Sequence, residues 1–492
     1  MPLILALDQG TTGSTALVLD DAGQVRGRGY REVPQHFPQP GWVEHDPDEI
    51  WAVTLSAARE ALGNSRVSRK DISAIGITNQ RETTILWDKA TGRPLYKAIV
   101  WQDRRTADRC RQLDAAMIAA KTGLIPDPYF SATKLEWLLA TLGRPAGAAF
   151  GTVDSWLVHK LTKGRAHVTD PSNASRTMLY NIDRHAWDDE LLALFGVSRE
   201  MLPEVKPSSG VFGMADAEWF GHEIPIAGIA GDQQAALFGQ GCFEAGTAKS
   251  TYGTGAFLLL NTGSRRVQSR SGLLTTIACD AAGAPAFALE GSIFIAGAAI
   301  QWLRDGLGVI ASAKETEQLA RSVDGTGGVV FVPALTGLGA PYWEAEARGT
   351  IVGLTRGSTQ AHLVRAALES MAFSTREVLD AMTADAGLTL AELKVDGGAT
   401  ANDWLMQFQA DVLGVPVRRP DQLESTALGA AGLAGLATGV WQRAADFVTA
   451  RHYQEFTPGA MPEGPWKDWK RAVRATLAWA HDAGEDAQPR GR

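Results

Sequence analysis

A chain of 492 residues, 45% hydrophobic and 21% charged, has the balance of a globular protein too long for a single core, so two large domains are expected. A net charge of −8 with no Lys/Arg stripe argues against nucleic acid or anionic membrane as partners, and no apolar run of about 18 residues predicts a membrane span. Cys110, Cys242 and Cys279 are too scattered for a disulfide framework or a zinc site, and the nine histidines form no paired metal spacing, which fits a reducing cytosol and a cytoplasmic protein.

The N-terminal MPLILALDQG reads as a strand rather than the apolar core of a signal peptide. Residues 3–33 follow as a β-meander: LILALD, TALVLD, a turn at Asp21-Ala22-Gly23, then QVRGRGYREV. Asp46-Pro47-Asp48-Glu49 opens a helical pattern through about residue 62, with acidic residues suited to its N-terminus. ISAIGITNQ (72–80) is a buried strand, ETTILWD (82–88) a hairpin arm with a turn at 89–92, and AIVWQD (98–103) the next strand. Helical patterns cover 104–120 and 133–142. IPIAGIAGDQQAALFGQG (224–241) is strand, glycine turn, helix, with Asp232 at the junction.

The second half repeats the plan. KSTYGTGAFLLLN (249–261) is a hairpin, a helix begins near Ala296, and VVFVPALTGL (329–338) is a strand into a loop. Residues 362–384 form a long amphipathic helix, and LKVDGGATANDWLMQFQADVLG (393–414) is strand, Gly-Gly turn, helix. ALGAAGLAGLATGV (427–440) is a small-residue helix able to pack closely against a sheet, and a Trp-containing helix (465–480) precedes a polar tail at 483–492. Strands alternating with helices, twice over, predict two α/β halves with a boundary near residues 242–250 and no long linker.

Neither a GxxxxGK[ST] loop nor a GxGxxG turn after a strand is present. Two Gly-Thr turns stand in their place: Asp8-Gln9-Gly10-Thr11-Thr12 and Gly253-Thr254-Gly255. Such turns expose backbone N–H groups and hydroxyls without bulky side chains, which suits phosphate, and two facing each other across a cleft would hold a nucleoside triphosphate. Asp8 is either an oxygen ligand for the Mg²⁺ of that triphosphate or an Asx-turn cap. Asp232 is either the N-cap of its helix or a base that takes a proton from a substrate hydroxyl. Arg81-Glu82 follows a strand end; exposed, the pair would be inert surface, but beside a cleft it can grip neighbouring hydroxyls of a polyol. Trp101, Tyr129 and Phe257 are either core residues or aromatic faces for the C–H side of such a polyol.

These segments together resemble the FGGY carbohydrate kinase family, on its glycerol-phosphorylating branch, within the actin/hexokinase/Hsp70-like ATPase fold. The resemblance runs from about residue 3 to 440. It is carried by LDQGTT, PGWVEHDP (40–47), IGITNQRETT (75–84), AIVWQDRRT (98–106), DPYFS (127–131), TDPSNASRTML (169–179), GIAGDQQAALFGQ (228–240), STYGTG (250–255), AGAAIQWLRD (296–305), PALTGLGAPYW (333–343) and VDGGATAN (395–402). It implies two actin-like (ribonuclease H-like) ATPase domains around a central cleft. Residues 1–245 would bind glycerol and phosphate; residues 246–492 would bind the nucleotide and carry the second phosphate turn.

By the same resemblance, Arg81, Glu82, Tyr129, Asp232 and Gln233 bind glycerol, Trp101 and Phe257 line its apolar side, and Asp232 is the general base. Asp8 serves Mg²⁺. Thr11, Thr12, Gly13 and Thr254 touch the phosphates of ATP, and Gly297, Gln301, Gly398 and Asn402 surround the nucleoside. A homodimer or homotetramer is implied as well. Thr15 stands where the family pattern has an arginine, and a neutral hydroxyl cannot make a charge-assisted bidentate phosphate contact. His222 does not match the phosphorylatable histidine of some bacterial members, and their Gly-rich effector loop is absent. The rival expectations are another FGGY sugar or polyol kinase, a non-enzymatic actin-like ATPase, or a catalytically weak sensor motivated by Thr15.

Overall fold

The computed structural model describes residues 2–449, 451–461 and 463–481. The expected polar tail at 483–492 lies outside the described residues. Two mixed sheets dominate. The first has the order Ser209–Ala215, Ile224–Gly231, Ile72–Asn79, Leu3–Gln9, Gly13–Leu19, Val25–Glu32. The second runs Leu274–Cys279, Pro285–Ile293, Ala256–Gly263, Ala248–Tyr252, Leu393–Asp396, Val417–Pro420, Tyr453–Phe456.

The internal echo holds at the level of pairing. Leu3–Gln9 pairs antiparallel with Gly13–Leu19 and parallel with Ile72–Asn79. In the second sheet, Ala248–Tyr252 pairs antiparallel with Ala256–Gly263 and parallel with Leu393–Asp396. Each Gly-Thr turn is the hairpin tip of its sheet. Three strands of the first sheet run parallel, and Gln9, Asn79 and Gly231 come level at their carboxyl ends. Ligand sites in such sheets lie beyond these ends.

The two halves interlock. Helix Ser425–Ala437, though late in the chain, lies on the first sheet: Ala427, Leu428, Ala431 and Ala434 share a core with Ile4, Ala6, Leu17, Leu19 and Ala227. It also crosses helix Asp232–Gly239. A Cβ on Gly429 would sit 1.8 Å from the Ala235 carbonyl oxygen, and one on Gly76 would sit 2.3 Å from that of Ala430. Small residues here are therefore a requirement of backbone approach. The remainder of the second half packs mainly round the long helix Gln360–Ala386, with Val364, Leu368, Met371 and Met382 buried.

Several expected elements are shorter or paired differently. The helix expected over 104–120 breaks into Ala107–Cys110 and Ala115–Thr122, because the Asp114 carboxylate accepts the N–H groups of Ala116 and Met117 and caps a new start. Of the strand expected over 98–103, only Ala98–Ile99 is extended, since Asp103 N–H turns back onto the Val100 carbonyl at 3.0 Å. The arm expected over 82–88 begins at Ile85; its local hairpin forms, with Trp87 bridging Pro94 across the 89–92 turn and Asp88 N–H donating to the Arg93 carbonyl at 2.9 Å, and its other edge pairs with Ala148–Gly151.

Candidate active site

At the carboxyl ends of the parallel strands the chain gathers five buried or half-buried charges. The Arg81 guanidinium is its centre, 2% exposed. Its Nη1 donates to Glu290 Oε2 at 2.6 Å and to Gln234 Oε1 at 3.3 Å; its Nη2 donates to Glu290 Oε1 at 3.1 Å and to the Tyr129 hydroxyl at 3.3 Å. Nε lies 3.2 Å from Asp232 Oδ1 and 3.7 Å from Glu82 Oε1. Arg176 closes a ring, donating from Nε to Glu82 Oε1 at 2.7 Å and from Nη2 to Glu290 Oε1 at 3.0 Å. Glu82 holds a left-handed backbone, φ 62°, uncommon for a non-glycine residue and often found at functional sites.

The three carboxylates differ. Burial alone would raise Glu290, but Arg176 and Arg81 outweigh it and hold it at about 2. Burial raises Glu82 despite the same two arginines. Burial also raises Asp232 above an ordinary aspartate, against the pull of Arg81 and Lys249. Only Asp232 keeps an open face: its side chain is 31% exposed, while those of Glu82 and Glu290 are 1% and 0%. The N-cap reading of Asp232 is not the one the chain adopts. Gly231 occupies that position, and Asp232 is the first helical residue, with its Oδ1 accepting the Gln233 N–H at 2.7 Å.

Trp101 and Tyr129 meet edge to face with ring centroids 5.4 Å apart, and Trp101 Nε1 donates to Thr11 Oγ1 at 2.8 Å. That bond ties the first Gly-Thr turn to the aromatic wall. The turn itself closes through Gly10 N–H to the Gly13 carbonyl, with Thr12 exposed beside it. Asp8 is half-buried and its carboxylate meets no hydrogen-bond donor among the described residues, so the Asx-turn alternative is not realised. Burial, with Asp232 and Glu424 adding repulsion, pushes it up to about 7. A carboxylate with both oxygens unengaged suits a hydrated divalent cation.

From the second sheet, Lys249 reaches across to Gln233 Oε1; within its own sheet it donates to Thr251 Oγ1 at 2.9 Å and to the Phe257 carbonyl at 3.4 Å. Burial lowers its ammonium to about 8, countered by Asp396 and Asp232. With its oxygen taken by the ammonium, Gln233 is left with its –NH₂ to offer. Phe257 thus reaches the site through its carbonyl.

The nucleoside residues gather apart from this cluster. Thr254, Gly297, Gln301, Gly398 and Asn402 line a cavity of about 740 Å³, within the usual range for a small-molecule site. The second turn packs on the start of helix Gly297–Asp305, with Gly297 N–H donating to the Gly253 carbonyl at 3.0 Å. A Cβ on Gly398 would meet no atom within 4 Å, so the backbone there leaves open space. Asn402 also caps helix Asp403–Leu413 through the Leu405 N–H. Arg81, Glu82 and Asp232 do not line this cavity. The strand Ala248–Tyr252 joins the two regions, with Lys249 at the charge cluster and Tyr252 in the cavity wall, about 10 Å apart at strand rise.

Glu290, Arg176 and Lys249 escaped the sequence reading. Each had a signal: Glu290 and Lys249 are lone charges inside apolar strand patterns, and Arg176 lies in the TDPSNASRTML segment. Such residues are rarely buried unless paired.

Two sheets of matching topology, each tipped by a Gly-Thr turn, with charges sealed between them, define the actin-like ATPase fold. Residues 3–239 match the N-terminal domain of the FGGY family of carbohydrate kinases, and residues 248–438 match its C-terminal domain. The glycerol kinase of Carboxydothermus hydrogenoformans is 56% identical over 97% of this chain and 98% of its own length; that of Deinococcus radiodurans is 54% identical over 98% of each. The structure of Plasmodium falciparum glycerol kinase with ADP superposes with a TM-score of 0.91 at 37% identity, covering 97% of this chain and 98% of that one. A xylulose kinase from Lactobacillus acidophilus, at TM-score 0.87 and 21% identity over 98% and 99%, shares the fold. The chain belongs to the FGGY family of carbohydrate kinases, in its glycerol kinase group. Among the described residues no helix is long and apolar enough to cross a membrane.

Proposed function

We propose that this chain transfers the γ-phosphoryl group of ATP to a terminal hydroxyl of glycerol, giving sn-glycerol 3-phosphate and ADP, with Asp232 as general base. The observation that carries the reading is Asp232, the one carboxylate of the three around Arg81 with an open face, set 3.2 Å from Arg81 Nε on the residue after Gly231, which lies level with Gln9 at the strand ends. Glycerol binds against Trp101, Tyr129 and Phe257, with hydroxyls held by Arg81, Glu82, Gln233 and Asp232. Thr11, Thr12, Gly13 and Thr254 hold the phosphates; Gly297, Gln301, Gly398 and Asn402 hold the nucleoside. Residues 1–245 then serve glycerol and phosphate, and 246–492 the nucleotide.

Phosphoryl transfer asks for alignment and charge neutralisation more than covalent chemistry. Asp232 accepts the proton of the attacking hydroxyl, and the Arg81 charge favours its ionised form before the transfer. Asp8 would hold Mg²⁺, which would supply charge neutralisation of the triphosphate. Closure of the lobes removes water as a competing acceptor. The protein works in the cytoplasm, as a dimer or tetramer that light scattering would size.

A kinase assay with Mg-ATP across C3–C5 polyols and ketoses tests this. Glycerol-dependent ADP formation is the expected result. Preference for a pentulose or tetritol would place the chain with another sugar kinase activity, and ATP turnover that ignores every polyol would overturn the kinase reading.

A further inference from the structure

Glu290 belongs to the second sheet, yet it is the principal counter-charge of Arg81 in the first. An arginine offers five N–H donors in a rigid plane. The edge between Nη1 and Nη2 is gripped by both Glu290 oxygens, at 2.6 and 3.1 Å. The second Nη1 hydrogen faces Gln234. What remains is the edge formed by Nε and the outer Nη2 hydrogen, which faces Asp232 Oδ1 at 3.2 Å and the Tyr129 hydroxyl at 3.3 Å. That edge meets no bidentate carboxylate, only single oxygens of Asp232, of Tyr129 and, at 3.7 Å from Nε, of Glu82, and it borders the open face of Asp232 and the aromatic wall. A polyol that binds Arg81 must engage it there, with two parallel N–H groups for adjacent oxygens.

We propose that Glu290 is a positioning residue: by occupying the terminal fork of Arg81 from the opposite lobe, it fixes which guanidinium edge is presented to glycerol. Arg176 braces Glu290 from the other side and simultaneously holds Glu82, so the rotation of both first-lobe ligands is set by one carboxylate of the second lobe. The glycerol site is therefore assembled by lobe docking rather than by the first lobe alone. A bidentate carboxylate is needed for this, since an amide in its place would turn an –NH₂ toward one of the guanidinium nitrogens.

The inference rests on Arg81 being a glycerol ligand, and the test separates the two. In Glu290→Gln the KM for glycerol rises at least tenfold while the KM for ATP stays within twofold; Glu290→Asp, which keeps the fork but shortens its reach, gives an intermediate glycerol KM. A purely structural lesion would move both constants together, and that result, or an unchanged glycerol KM in either variant, overturns the proposal. Failure of the wild-type protein to phosphorylate glycerol overturns the functional reading instead. A crystal structure of Glu290→Gln decides the positioning role independently of turnover: a guanidinium displaced from Tyr129 and Asp232 supports it, and an unmoved Arg81 refutes it. Should Glu290→Gln not fold, Glu290→Asp carries the same kinetic and crystallographic readouts.

Discussion

Replacing Asp232 by asparagine isolates the proposed proton acceptor with little disturbance of shape. Asparagine keeps an oxygen for the Gln233 N–H, now at 2.7 Å, so the helix start survives. Arg81 keeps Glu290 on its terminal fork and Glu82 at 3.7 Å from Nε, so the buried guanidinium is not left without counter-charge. What disappears is the only cluster carboxylate facing the cleft; Glu82 and Glu290 are sealed under the arginines and cannot substitute. A positioned general base contributes about 10²–10⁴ in rate, or roughly 3–5 kcal/mol of barrier. Initial rates with saturating Mg-ATP and glycerol should therefore fall by that factor in Asp232→Asn, with thermal stability close to wild type.

The pH profile adds a second reading. Asp232 acts only when ionised and burial raises it above an ordinary aspartate, so wild-type kcat/KM falls as pH drops through that raised value. The acid limb lies above pH 3.8, and at Mg²⁺ saturating across the pH range the residual activity of the variant lacks it. A kcat within threefold of wild type, with the acid limb intact, would refute the assignment.

Three other expectations concern neighbouring charges. Asp8, at about 7, must lose its proton to serve Mg²⁺, so the apparent Mg²⁺ requirement should tighten roughly tenfold per pH unit up to about 7 and then level; Asp8→Asn should abolish that dependence in a Mg²⁺ titration at several pH values. Lys249, at about 8, loses its positive charge as pH rises through that value, so glycerol KM should climb above pH 8, and Lys249→Met should raise KM several-fold and flatten the alkaline limb. Thr15 faces Asp8 on one side and Tyr30 on the other in the sheet register, and Thr15→Arg should lower the ATP KM. An unchanged or higher KM would mean that the Tyr30 ring, which covers Gly13, already fills the space an arginine needs.

The legible parts of this protein were those whose chemistry is local. Strand–turn–strand units around Asp8 and Thr254, and the strand–turn–helix unit at Asp232, could be read because glycine turns and apolar alternation act over a few residues. The clustering of Arg81 with Asp232 was anticipated, but the partners that seal it were not. Glu290 lies 209 residues from Arg81 in the chain, and no local pattern encodes that pairing. Trp101 illustrates the intermediate case: its dual character as wall and hydrogen-bond donor to Thr11 depends on a chain reversal at Val100–Asp103 that periodicity misread as strand. The segmentation of 104–120 failed for a similar reason, since one capping aspartate overrode a continuous helical pattern.

Helix Ser425–Ala437 has a consequence for how the polypeptide is made. It covers an apolar face built from residues 4 to 227, so during synthesis that face stays uncovered until the ribosome has delivered nearly the whole chain. A fragment ending at residue 245 would lack the cover over Ile4, Ala6, Leu17 and Leu19. The native state is thus sealed by a late-arriving lid rich in alanine and glycine, and transiently exposed apolar surface of this kind is what favours aggregation of incomplete chains.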